Sequence, residues 1–141
     1  MPAITVAQAR MIIDAAFEGA AKRRVASVAV VVTDTGGALK AAQRSDSAGP
    51  ATIEIAAAKV RTALGFRRST INLAAFRDNP VVNATLASVL SGRFMPMGGG
   101  VAIVDEQGEL VGGAAFSGAA AEIDHEIMVE AVQAAGLAIL D

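Results

Sequence analysis

Two ionisable side chains stand where their helices should be apolar. In SGAAAEIDHEIM, which begins at Ser117, a helix turning about 100° per residue brings Ala120, Ile127, Met128, Ala131 and Ala135 within about 60° of Asp124. Glu122, Glu126 and Gln133 fall on the opposite side, so solvent lies there. In IEIAAAKVRTALGF, Glu54 and Arg61 share a solvent stripe, while Lys59 points about 140° away from Glu54. A buried charge is costly unless a partner or a proton neutralises it. If the two residues face one cavity, Asp124 is a candidate general base, and Lys59 is placed to hold a carboxylate or stabilise an enolate. Plainer roles stand beside these. Asp124 could cap a neighbouring element, bonding backbone N–H groups near Gly98 to Gly100 or at the start of another helix, and Lys59 could pack its stem and snorkel. A third reading joins them as a buried ion pair that fixes packing.

Other residues carry weaker signals. His125 lies at the edge of the buried face, about 100° from Asp124, and is a candidate ligand-binding residue. Arg44-Ser45-Asp46-Ser47 joins a strand to a helix start, where a carboxylate or phosphate can be held. Ser117 lacks a nucleophile elbow and reads as the N-cap of the last helix. Gly98 to Gly100 precede a strand rather than open a helix, so they are no dinucleotide fingerprint. Met95 and Met97 lie in the adjoining loop, and thioethers fill gaps or ligate haem iron.

Composition limits the chemistry. With no Cys and one His, thiol nucleophiles, disulfides, zinc fingers and poly-histidine metal sites are excluded; no metal site is expected. Net charge is −2 and no Lys/Arg run tracks a phosphate backbone, so no nucleic-acid partner is expected. No apolar run approaches the roughly 20 residues of a membrane span, and MPAITVAQAR lacks the pattern of a leader. No membrane association and a cytoplasmic location are the expectations. A hydrophobic fraction of 53% against 18% charged residues predicts a folded chain that buries much of its surface, in an oligomer.

The elements that must position these residues follow from periodicity and turn chemistry. Thr5 to Gln8 reads as a capping box opening a helix over about 5 to 24. Val25 to Thr33 is a buried strand, Asp34 to Gly37 a turn, and Ala38 to Arg44 the returning strand. Pro50 opens a helix that runs to about Phe66. Residues 69 to 90 are helical in pieces, broken near Asn79-Pro80, and a Met/Gly-rich loop follows. Val101 to Asp105 and Glu109 to Phe116 form a second hairpin, and a last helix covers about Gly118 to Leu140. VAVVVTDTGGALKAA and VAIVDEQGELVGGAA share a pattern. The fold class is α+β: one antiparallel sheet with helices against it, in a single domain over residues 1–141.

The stretches VAVVVTDTGGALKAAQRSDSAGPATIEIAAAKVRTA and GGGVAIVDEQGELVGGAAFSGAAAEID resemble the GlcG/HbpS family, also found as the C-terminal part of PduO-type proteins. The resemblance implies a profilin-like fold with a five-stranded antiparallel sheet flanked by helices. It also implies homo-oligomers and tetrapyrrole chemistry: characterised members bind haem, and an extracellular branch degrades it. Many members are encoded in catabolic gene clusters. Arg44, Asp46, Lys59, Gly99, Gly100, Ser117, Gly118 and Asp124 fall on family motif positions, although the chain reads Asp46-Ser47-Ala48 where many members read D-G-A. The expected function is a haem-binding accessory protein, with Arg44, Asp46, Met97, Gly99, Gly100, Ser117 and His125 as ligand-binding residues and haem as the cofactor. The alternative is a metal-independent isomerase, lyase or hydrolase acting on a small organic acid through Lys59 and Asp124.

Overall fold

The structure, a computed structural model, describes residues 3–141; Met1 and Pro2, which open the stretch read for a leader, lie outside the described residues. Helix α1 (Val6–Lys22) starts as its sequence predicts. The Gln8 N–H donates to Thr5 Oγ1 and the Thr5 N–H donates to Gln8 Oε1, each at 3.0 Å. Two hairpins follow in the chain, β1 (Ala29–Thr33) with β2 (Leu39–Arg44), and β3 (Gly100–Val104) with β4 (Leu110–Ser117). Between them lie α2 (Ala51–Phe66), a 3-10 turn over Thr70–Leu73, α3 (Ala74–Arg77) and α4 (Pro80–Val89). The chain closes with α5 (Ala121–Ala134) and β5 (Ala138–Leu140). The five strands form one antiparallel sheet in the order β2-β1-β4-β3-β5.

The two hairpins use the same turn. Asp34 accepts the N–H groups of Gly36 and Ala38, and Asp105 accepts those of Gln107 and Glu109, all at 2.9 Å. Gly37 and Gly108, at φ +84° and +79°, complete the turns in a conformation that costs glycine little. Each hairpin also shifts register at its end, between Val32 and Thr33 and between Ile103 and Val104.

β1 and β3 are buried along their whole length because helices cover both faces of the sheet. Val30, Val32, Val101, Ile103 and Phe116 pack against Ile12 and Ala16 of α1 and Ile127 and Met128 of α5. Ala29, Val31 and Ala115 face the other way, onto Ala56 and Val60 of α2. Strand alternation thus assigns α1 and α5 to one layer and α2 to the opposite one.

Two expectations need correction. The last helix does not reach Leu140. It ends at Ala134, Gly136 adopts φ +77°, and Ala138–Leu140 turns back as an edge strand on β3. Leu137, Ile139 and Leu140 suit a helix stripe or a short strand equally, so periodicity alone did not separate them. Nor is Ser117 the N-cap of that helix: it is the last residue of β4, and Ala120 holds the N-cap position without a side-chain bond. Among the described residues no helix is long and apolar enough to cross a membrane.

The capping box gives a simple check on α1. Thr5→Ala should lower stability by about 1 kcal/mol, read as a reduced urea midpoint with an unchanged slope.

Candidate functional site

Lys59 and Asp124 meet. The Lys59 ammonium donates to Asp124 Oδ2 at 3.0 Å and to the Phe116 carbonyl at 3.1 Å. The other carboxylate oxygen, Oδ1, accepts the Ala119 N–H at 2.8 Å. The residues are 4% and 2% exposed. Lys59 comes from the α2 layer and Asp124 from the α5 layer, so the pair joins opposite faces of the sheet around the end where β4 leads into α5. Burial pushes the Asp124 carboxyl above the ordinary carboxylate range; the Lys59 ammonium and the Ala119 and Gly118 N–H groups pull it back only in part.

The run Gly98-Gly99-Gly100 is what lets three segments close on this pair. A Cβ on Gly98 would overlap the Ala121 carbonyl of α5. One on Gly99 would overlap the Phe116 carbonyl and stand 3.0 Å from Lys59 Nζ, at a φ of +126° that L-residues rarely adopt. One on Gly100 would overlap the Lys59 carbonyl of α2. Hydroxyls hold the same segment in place: Met95 N–H donates to Thr62 Oγ1 at 2.8 Å and Gly100 N–H to Thr70 Oγ1 at 2.9 Å.

The remaining candidates gather at the same end of the sheet. Register aligns Arg44 with Ala29 and Ala29 with Ser117, while Gly100 lies opposite Ala115. Ser117 is buried. Arg44 and Asp46 are exposed, and Arg44 Nη1 donates to the Ala48 carbonyl at 3.0 Å. Met97 is 43% exposed. The His125 ring is half-buried, and its Nδ1 is shielded from solvent with no hydrogen-bond partner. Neither of two surface cavities, one beside the β1–β2 turn and one between α1 and α5, is lined by Lys59 or Asp124. Sequence reasoning did not reach the two backbone partners, the Phe116 carbonyl and the Ala119 N–H. Every residue has such groups, so residue type carries no signal for them.

The chain is thus an α+β protein with helices on both faces of a five-stranded antiparallel sheet and a buried Lys–Asp pair at one end. The chain matches the family model described as haem degrading protein HbpS-like over residues 4–133, and it belongs to that HbpS-like family. Among solved structures it is similar to the PduOC:heme complex, with 28% identity, a TM-score of 0.87 and 99% of each chain covered. It is similar to HbpS at 27% identity, with a TM-score of 0.77 over 96% of this chain and 89% of that one. Klebsiella pneumoniae ORFY shares the fold at 24% identity and a TM-score of 0.85, over 96% of this chain and 92% of that one. No curated protein sequence matches the chain.

The pair predicts an asymmetry between single and double substitutions. Lys59→Met or Asp124→Asn alone should cost about 3–5 kcal/mol, whereas Lys59→Met with Asp124→Leu should recover a large part. In Lys59→Met the carboxyl loses its main opposing charge, so its folded pKa rises further. A raised folded pKa stabilises the protein below the unfolded value near 3.9 and loses that contribution as pH rises through the folded value. The Lys59→Met deficit in urea unfolding should therefore be smaller at pH 5 than at pH 7.

Proposed function

We propose that the protein binds haem or a related tetrapyrrole as an accessory protein. The observation that carries this reading is the similarity, over 99% of both chains, to a structure of PduOC with haem. The donor set fits. The chain has one imidazole, on His125, and its Nδ1 is a buried nitrogen with no partner, so the ring is not committed elsewhere. His125 would be the iron ligand, with Met97 on the neighbouring loop as the second donor type that haem iron accepts. Arg44, exposed at the same end of the sheet, would meet an acidic substituent; Lys59 is already occupied by Asp124. Bound haem would supply an iron centre whose behaviour depends on its axial ligand and the polarity around it. Acid–base catalysis on a small organic acid is the weaker proposal, because both carboxylate oxygens of Asp124 are engaged.

A homo-oligomer belongs to this reading. Helix α4 has no charged residue and buries none of its own, and Val81 and Val89 are 75% and 72% exposed. Such a surface suits a protein contact. Val81→Lys/Val89→Lys should lower the molar mass measured by light scattering at a fixed protein concentration; an unchanged mass would remove α4 from the interface.

A hemin titration followed at the Soret band tests the haem reading. The expected result is saturation at one haem per protomer or per pair, lost in His125→Ala. A Soret change no larger than that of a nonspecific albumin control would end it.

A further inference from the structure

The end of the sheet away from Lys59 and Asp124 holds a different kind of site. There the β1–β2 turn, the last turns of α2 and the segment after α4 enclose a cavity of about 390 Å³. That volume lies in the range of roughly 300–1,000 Å³ found for small-molecule sites. Leu64, Phe66 and Leu90 line it with apolar surface, and Arg61 and Arg93 add two guanidinium groups.

Neither arginine has an ion-pair partner among the described residues; Asp34, in the β1–β2 turn, spends its carboxylate on the Gly36 and Ala38 N–H groups. The ion pairs among the described residues use Arg23, Lys59 and Arg77, and the arginine side chains that donate hydrogen bonds there are Arg23, Arg44 and Arg77. Arg61 and Arg93 do neither. Periodicity sets Arg61 on the solvent stripe of α2 with Glu54, yet Arg61 is half-buried. Its stem lies across Gly37, with Cγ 3.4 Å from where a Cβ would stand. A guanidinium held by its stem, beside an apolar wall and outside any ion pair, is prepared for an acid from outside.

We propose that this cavity binds a small organic anion. Its acid groups would meet Arg61 and Arg93, and its apolar body would rest on Leu64, Phe66 and Leu90. The lining has no His, Met, Tyr or Cys, so the site is separate from the haem reading and does not rest on it. The apolar wall favours an organic acid over a bare inorganic ion.

The test is an amide NMR titration with phthalate, two carboxylates on a flat apolar ring, beside benzamide and inorganic phosphate. Saturable shifts at Gly36, Gly37 and Gly65 are expected with phthalate. Binding should weaken about tenfold or more in Arg61→Gln and in Arg93→Gln, and stay unchanged in Arg10→Gln on the exposed side of α1. Benzamide and inorganic phosphate should bind at least about tenfold more weakly than phthalate. Arg93 is exposed, so Arg93→Gln tests the site even if Arg61→Gln disturbs the turn. The proposal is overturned if phthalate gives no saturable shift by about 10 mM, far above useful affinity. It is equally overturned if both variants bind as wild type, or if inorganic phosphate binds as well as phthalate.

Discussion

The bond between Lys59 and Asp124 is the constraint on which this end of the molecule depends. Charges on helices from opposite layers meet only if the chain between them stays thin. Three glycines provide that, each against a different neighbour: Ala121 of α5, the Phe116 carbonyl of β4 and the Lys59 carbonyl of α2. The backbone completes the site, because the Phe116 carbonyl accepts a second hydrogen bond from the ammonium and the Ala119 N–H donates to the second carboxylate oxygen. A buried pair contributes little net stability over an apolar substitute, but a pair with one partner missing is strongly unfavourable. The arrangement therefore acts mainly as a specification: packings that separate α2 from the start of α5 leave two buried charges unmet.

The rest of the scaffold is built to bring those helices to that point. Two hairpins with the same aspartate turn and the same end-of-strand register shift place β1 and β4 side by side at the centre of the sheet. Their alternating side chains serve two helical layers at once, Val30 and Phe116 toward α1 and α5, Ala29 and Ala115 toward α2. Small residues on the α2 side let that helix lie close enough for the Lys59 side chain to reach past the strand ends.

What was legible in the sequence follows from this. Lys59 and Asp124 stood out because burial of an ionisable group breaks the helical pattern, and breaks of pattern can be read without a structure. The hairpins were legible because Asp34 and Asp105 announce their turns. The fifth strand was not found by periodicity: three residues after Gly136 are too few to show a period of two. Ser117 was misread because a serine before a helical stretch usually caps it, whereas here the strand continues through Ser117 and the Asp124 side chain reaches back to the Ala119 N–H. Arg61 was misplaced for a related reason. Its position on the helix wheel is set by α2 alone, but its surroundings are set by the β1–β2 turn and Arg93, which are distant in sequence.

The two ends of the sheet therefore differ in what they can offer a ligand. At the first, the charges face each other and have backbone partners as well, so a ligand that used them would have to open a buried pair at a cost of several kcal/mol. Its uncommitted groups are the His125 ring and the exposed Asp46, with Arg44 engaged only by one carbonyl. At the second, two guanidinium groups stand outside any ion pair beside open apolar surface, and a ligand has no ion pair to break first. Binding there can draw on charge and apolar contact together, which is the combination that distinguishes an organic acid from either a neutral ring or a simple ion.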